Sequence, residues 1–404
     1  MRLFHELGET IEARWRAADY DEAAFPALAA EALQTRALHR ELGWADVLRW
    51  VLESDALPFQ DDVKGRFGDP PVTVFHGRRF FIQVLLWREG STSIHRHGFS
   101  GAFQVLEGTS LHTRYDFTRT RRVSSHLELG ALRLRDASTL ARGAVEPITA
   151  DLAHALYHLE SHAATIVVRT YREDDAGPQF SYRAPGLAID PFYDDPVATR
   201  QAQSLRFFRT ADPVGGDALA ERLAARADLH TGYLVLSEIA RGAGSAARVD
   251  RVVAALRARH GDDVAALLHD VVREEMRERR VLELRDGADD ADQRYLLALL
   301  ANLHDRESVL ALVKERAPDA DPRAWAMEHL AGLSGADRLG VDLDDAFTLD
   351  AALALLDLDD DRAVLARLAE VYPRDEITAQ RDDVLAHLAR LRRSALRPLF
   401  TPRR

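Results

Sequence analysis

Two histidines separated by a single residue, His95-Arg96-His97, follow the stretch Phe81-Ile-Gln-Val-Leu-Leu-Trp87-Arg-Glu89-Gly90-Ser-Thr-Ser93-Ile94. A strand turns residues i and i+2 to the same face, so both imidazoles can point into one interior. Imidazole is a common ligand for Zn, Fe, Cu and Ni, and two from one strand supply most of a facial metal site. The elements that would hold them lie on either side. Residues 81–87 form an apolar run of strand length, Gly90-Ser91 interrupts it, and 102–106 returns at once to the turn signal Glu107-Gly108.

This arrangement resembles the first motif of the cupin family of small antiparallel barrels, and within that family the thiol dioxygenases such as cysteine dioxygenase. The shared features are Trp87, Glu89-Gly90, Ser93-Ile94-His95-Arg96-His97, Ser100 and Val105-Leu106-Glu107-Gly108. Most cupins carry a glutamate seven residues before the closing glycine, and that position is Gly101 here. The resemblance therefore implies a three-histidine site without a carboxylate. Glu107, at the turn, is expected to face solvent.

The family's second motif supplies the third ligand, a histidine followed four residues later by a polar group ahead of a strand. Aligning His154-Ala-Leu-Tyr-His158, which precedes the β-branched run 164–171, puts His154 at the metal and His158 where asparagine usually stands. His158 is the alternative third ligand. His154, His158 and His162 also have the spacing of one helix face, but Pro147 before them and the strand after them argue against a helix. Beyond this motif the family has a tyrosine near the metal, which aligns with Tyr171, and two residues earlier a histidine, replaced here by Arg169. The arginine that grips the substrate carboxylate would fall at 72–76, where none stands; Arg78, Arg79 and Arg169 are the candidates to replace it. L-Cysteine is accordingly expected to be a poor substrate. An inward Arg169 would serve an anionic group on the substrate, and an outward one would pair with Glu173.

The resemblance implies a non-haem Fe(II)-dependent oxygenase of EC class 1.13, with O2 as co-substrate and a small thiol or amino-acid-like metabolite as substrate. Tyr171 would hydrogen-bond bound oxygen or a substrate carboxylate, and His158 would orient His154. Imidazoles also accept Zn, Ni, Mn and Cu. A non-oxidative cupin enzyme (isomerase or lyase) and a ligand-binding cupin without catalysis are the alternatives. Oxygen uptake and metal content separate the three. His112, on the strand after Gly108, is expected to be a satisfied strand histidine and not a ligand, and so are His76 and His126, each isolated from a second ligand.

Composition bounds the rest. A chain of 404 residues with 47% hydrophobic content can form more than one core. It has no cysteine, which excludes disulfides, thiolate ligands and a cysteine nucleophile. A net charge of −12 argues against nucleic acid as a partner. The start, Met1-Arg-Leu-Phe-His-Glu, lacks a leader's pattern, and no apolar run reaches membrane-spanning length, so a cytoplasmic protein acting on a small molecule is expected. Lys64 and Lys314 are the only lysines; with abundant Ala, Leu and Asp this suggests a GC-rich bacterial genome.

The expected fold class is an α+β multidomain chain with three parts. Residues 1–64 form helices packing on the barrel, on the periodicity of Phe4, Leu7, Ile11 and Trp15 and of Leu38, Leu42, Ala45, Leu48 and Leu52. Residues 65–190 form a cupin-type antiparallel β-barrel with the metal site. Residues 191–404 form an all-α domain for oligomerisation or a protein partner. There, Asp321-Pro322 marks a helix start, Gly332 a stop, and the turn Asp357-Leu-Asp-Asp-Asp361 reads as helix capping.

Overall fold

A computed structural model describes the chain except residues 61, 62, 64–66, 89, 172–176, 243–245, 332, 334–338 and 404. Lys64, Glu89, Glu173 and Gly332, named above, lie outside the described residues. The chain divides into two compact units, Met1–Asp195 and Pro196–Arg404. The fold class read from the sequence is the one observed: N-terminal helices, an antiparallel barrel and a C-terminal helical region.

The first unit opens with α1 (Arg2–Ala17), α2 (Phe25–Arg36) and α3 (Trp44–Glu53). The stripe Phe4, Leu7, Ile11, Trp15 is buried as its spacing predicts. The second stripe breaks at Gly43, where the Asp46 carboxylate accepts the Gly43 N–H at 2.9 Å and starts a new helix; Leu52 is exposed. Glu107, expected to face solvent, is half-buried and accepts the Trp44 N–H at 2.9 Å, anchoring the same helix start.

A five-stranded sheet combines β1 (Pro71–His76), β2 (Phe80–Trp87), β5 (Gly101–Glu107), β8 (Val145–Ile148) and β10 (Ala163–Thr170), in the order β1-β2-β10-β5-β8. Alternation divides its two faces. Ile82, Val84 and Leu86 of β2 and Ala164, Ile166 and Val168 of β10 join Phe4, Leu7, Phe25 and Leu33 in one core under the helices. Leu85, Phe103, Val105 and Val167 on the opposite face pack with Leu156 and Leu140.

Those last residues belong to the second sheet, made of β3 (Gly90–Ser91), β4 (Ile94–Arg96), β6 (Ser110–Arg122), β7 (Leu127–Leu140), β9 (Ala153–His158), β11 (Ser181–Arg183) and β12 (Leu187–Ile189). Its order is β3-β9-β4-β11-β12-β7-β6, and β6 also pairs with β9. That extra pairing closes β9-β4-β11-β12-β7-β6 into a six-stranded ring, removing the free edges an open sheet would leave.

The second unit is helical, with its own core that includes Leu236, Leu256, Leu268, Leu296 and Leu388. Its aspartates cap helices. The side chains of Asp212, Asp228, Asp305, Asp345 and Asp360 each accept a backbone N–H three residues on, as the reading of the 357–361 turn anticipated. Asp321 does the same for Ala324 at 2.9 Å.

Candidate metal centre

The cross-strand register selects among the histidines. In the β4–β9 pair His95 lies directly opposite His154, whereas His158 lies opposite Gly90 of β3 and Ser110 of β6. His97 follows two residues after His95 on the same face. One ligand nitrogen each from His95, His97 and His154 falls within 4.8 Å of the others, and all three residues are buried.

The nitrogens are oriented as a metal would require. His95 Nδ1–H donates to the Ser93 carbonyl at 2.7 Å, which leaves its Nε2 as a lone pair. That Nε2 is buried and has no hydrogen-bond partner among the described residues. The Nε2 atoms of His97 and His154 stand 2.9 Å apart. Two nitrogens each about 2.0–2.1 Å from one ion, at right angles, would stand about 2.8–3.0 Å apart, so this pair fits a shared ion. Burial, followed by the neighbouring histidines, holds the His154 pKa well below the ordinary value. Burial, then His95 and Arg169, does the same to His97, and burial lowers His95. Three neutral imidazoles therefore converge, the protonation state that ligation needs.

Why no carboxylate joins them is a matter of strand spacing. A Cβ built on Gly101 would lie 2.0 Å from the Val168 carbonyl oxygen and 3.0 Å from Arg169 Cα. Strand β10 passes too close for any side chain there, so the glutamate that most cupins carry at this position has no room.

His112 is the hydrogen-bonded strand histidine expected and lies outside the trio, but its partner was not foreseen: it is buried, and its Nε2 lies 2.9 Å from His154 Nδ1. A His154 that ligates through Nε2 would carry its proton on Nδ1 and donate it to His112. The role anticipated for His158, orienting His154, thus falls to His112. His158 instead places Nδ1 3.0 Å from the Ser110 hydroxyl and stacks on Trp87 at 4.5 Å and 17°. Burial depresses the pKa of His112 to about 4 and that of His158 to about 3. No spacing rule would have found His112, because its partner is 42 residues away on another strand.

The trio opens onto a cavity of about 380 Å³ between the two sheets, also lined by Phe81, Gln83, Trp87, Phe99, Thr165, Arg169 and Tyr171. Arg169 shares the cavity face of β10 with Thr165 and Val167, so it points inward. Its guanidinium carbon lies 3.5 Å from the Phe99 ring centroid and 5.1 Å from that of Phe81. Tyr171 offers the cavity its ring, while its hydroxyl donates to the Gly77 carbonyl at 2.8 Å and lies 3.1 Å from His76 Nε2. The hydroxyl is therefore turned to the β1–β2 turn and away from the trio.

No family model matches this chain, and no curated protein does. Solved structures give partial likenesses. A cupin-2 domain containing protein from Shewanella frigidimarina is 12% identical, with 32% of this chain and 94% of that one covered and a TM-score of 0.20. Hydroquinone 1,2-dioxygenase from Sphingomonas sp. TTNP3, solved with 4-hydroxybenzoate bound, is 12% identical over 28% of this chain and 72% of that one, with a TM-score of 0.22. TT1209 from Thermus thermophilus is 20% identical over 28% and 98%, with a TM-score of 0.19.

Proposed function

We propose that this chain is a non-haem Fe(II)-dependent oxygenase of the cupin type, with His95, His97 and His154 as the metal ligands and O2 as co-substrate. The observation that carries the reading is the buried, unsatisfied Nε2 of His95, whose ring joins in one cluster the His97 and His154 Nε2 atoms that stand 2.9 Å apart. A buried ring nitrogen without a partner costs about 1–3 kcal/mol, a cost that ligation removes. When bound, Fe(II) supplies adjacent open positions and the redox chemistry of O2 activation.

The chain's own residues prepare the site. Ser93 holds the His95 tautomer and His112 that of His154, so two of the three ligand lone pairs are set before binding. Phe67 packs edge-on to His95 at 5.2 Å. Arg169 places a fixed positive charge on the cavity wall, suited to an anionic substrate. Tyr171 contributes ring surface. The helical unit is assigned to oligomerisation or a protein partner, and the chain to the cytoplasm.

The test is metal content and oxygen consumption of anaerobically iron-loaded protein. Near-stoichiometric iron, lost in His95→Ala and His97→Ala, together with substrate-dependent oxygen uptake, is expected. Full iron retention in both variants refutes the ligand set. Iron binding without oxygen uptake on any carboxylate or thiol offered favours an isomerase or lyase.

A further inference from the structure

We propose that the substrate is an aromatic carboxylate without an α-ammonium group, its acid bound by Arg169 and its ring held among Phe81, Trp87 and Phe99. The proposal rests on the metal reading above and refines it. It replaces the small thiol or amino acid that the sequence resemblance suggests.

Size comes first. Cavities of roughly 300–1,000 Å³ suit ligands of drug-like size. One of about 380 Å³ is too roomy for a molecule of cysteine's size to be gripped on all sides. An aromatic ring bearing a short acid fills it better.

The walls then select the body of the ligand. Phe81, Trp87, Phe99 and Phe103 line the cavity with Leu85 and Val167. Polar groups on the same wall are committed to the protein. The Trp87 indole N–H donates to Thr165 at 2.9 Å, the Tyr171 hydroxyl to Gly77, and the Gln83 amide to Thr73 at 3.3 Å. What they leave exposed is mostly apolar and aromatic, a surface for ring stacking.

Charge selects the rest. Arg169 places its guanidinium carbon 3.5 Å from the centre of the Phe99 ring, which is itself 4.5 Å from that of His97. One aromatic ring thus separates the guanidinium from the ligand trio. A ligand can therefore touch both when its acid and its metal-facing group lie at opposite ends of a ring. The planar fork, held against the Phe99 ring, matches a carboxylate bidentately. Among the described lining residues none is acidic, so an ammonium group would enter a cavity whose fixed charge repels it.

Binding tests this without turnover. Calorimetric titration of the full chain compares 3-phenylpropionate, its amide, L-phenylalanine (the same skeleton with an ammonium) and L-cysteine. The acid should bind about tenfold or more tightly than each of the others, the size of one charge-assisted pair. Arg169→Leu should erase the preference of acid over amide, while Arg169→Lys, which keeps charge without the fork, should retain part of it. Equal binding of acid and amide to wild type, or tighter binding of either amino acid, overturns the proposal. So does an unchanged preference in a folded Arg169→Leu protein. Measuring the iron content of the wild type beside the titration separates the two readings. Acid preference persisting in a wild type that retains no iron sinks the metal assignment alone; iron retained with acid and amide bound alike sinks this one alone.

Discussion

Lowering the pH should destabilise the barrel unit through His158, and the size of the effect can be worked out. His158 is buried, and that burial pushes its pKa down to about 3. In the unfolded chain the value is about 6.5. Between these limits the unfolded state binds more protons, so stability is full above about pH 7 and is lost as pH falls toward 3. From pH 7 to pH 5 the loss from this one group is about 2 kcal/mol. At pH 5 that figure is set almost wholly by the unfolded pKa, so a folded value of 3 or 4 gives the same answer. Replacing His158 with Phe keeps a ring against Trp87 and removes the titration. Urea unfolding with chelator present, followed by tryptophan fluorescence, reports mainly on the barrel unit, because Trp15, Trp44, Trp50 and Trp87 lie in it and only Trp325 lies outside. The buried ligand histidines and His112 titrate in both proteins and cancel in the comparison. The His158→Phe profile should be flatter than wild type by about 2 kcal/mol between pH 7 and 5. Parallel profiles would refute the claim that His158 is buried in neutral form.

Three further outcomes follow from the packing. His112→Phe should weaken metal binding by about 10–100-fold while leaving the fold intact, measured by competition with a chelator. Gly101→Ala should cost about 3 kcal/mol in urea unfolding, because its Cβ would meet the Val168 carbonyl, and Gly101→Glu should not create a fourth ligand. Phe4→Ala, in the core shared by helices and sheet, should cost about 3–5 kcal/mol; a loss below 1 kcal/mol would mean that the helices contribute little to the barrel's stability.

The barrel and its flanking helices were legible because the 3.6-residue stripe of Phe4, Leu7, Ile11 and Trp15 gives way to strand-length runs between turn residues. His95 and His97 could be read for the same reason, since their parity on one strand is a local property. The choice between His154 and His158 was not local. Both face the same side of β9, and only the strand laid opposite, with His95 against His154, separates them. The direction of Arg169 was hidden as well. Strand β10 is buried on both faces, so Ala164, Ile166 and Val168 look no more core-like than Thr165 and Val167. The role of His112 was missed because ring closure through β6 and β9, which brings that residue to His154, leaves no trace in sequence spacing. Gly101 showed that a carboxylate was missing, but its steric cause needed β10 in place.

The two-faced character of the five-stranded sheet bears on how such a site can diversify. Strands β2 and β10 each alternate between residues that hold the helices and residues that line the cavity, so a single inserted or deleted residue in either would exchange the two sets. Arg169 would be driven into an apolar core and Val168 into the cavity, a double penalty that one compensating substitution does not repair. Lineages carrying this architecture should therefore vary the site by exchanging side chains at fixed positions, while length changes gather in the turns. Alignments of its descendants should show gap-free β2 and β10 columns in which the cavity-side positions vary more than the helix-side ones.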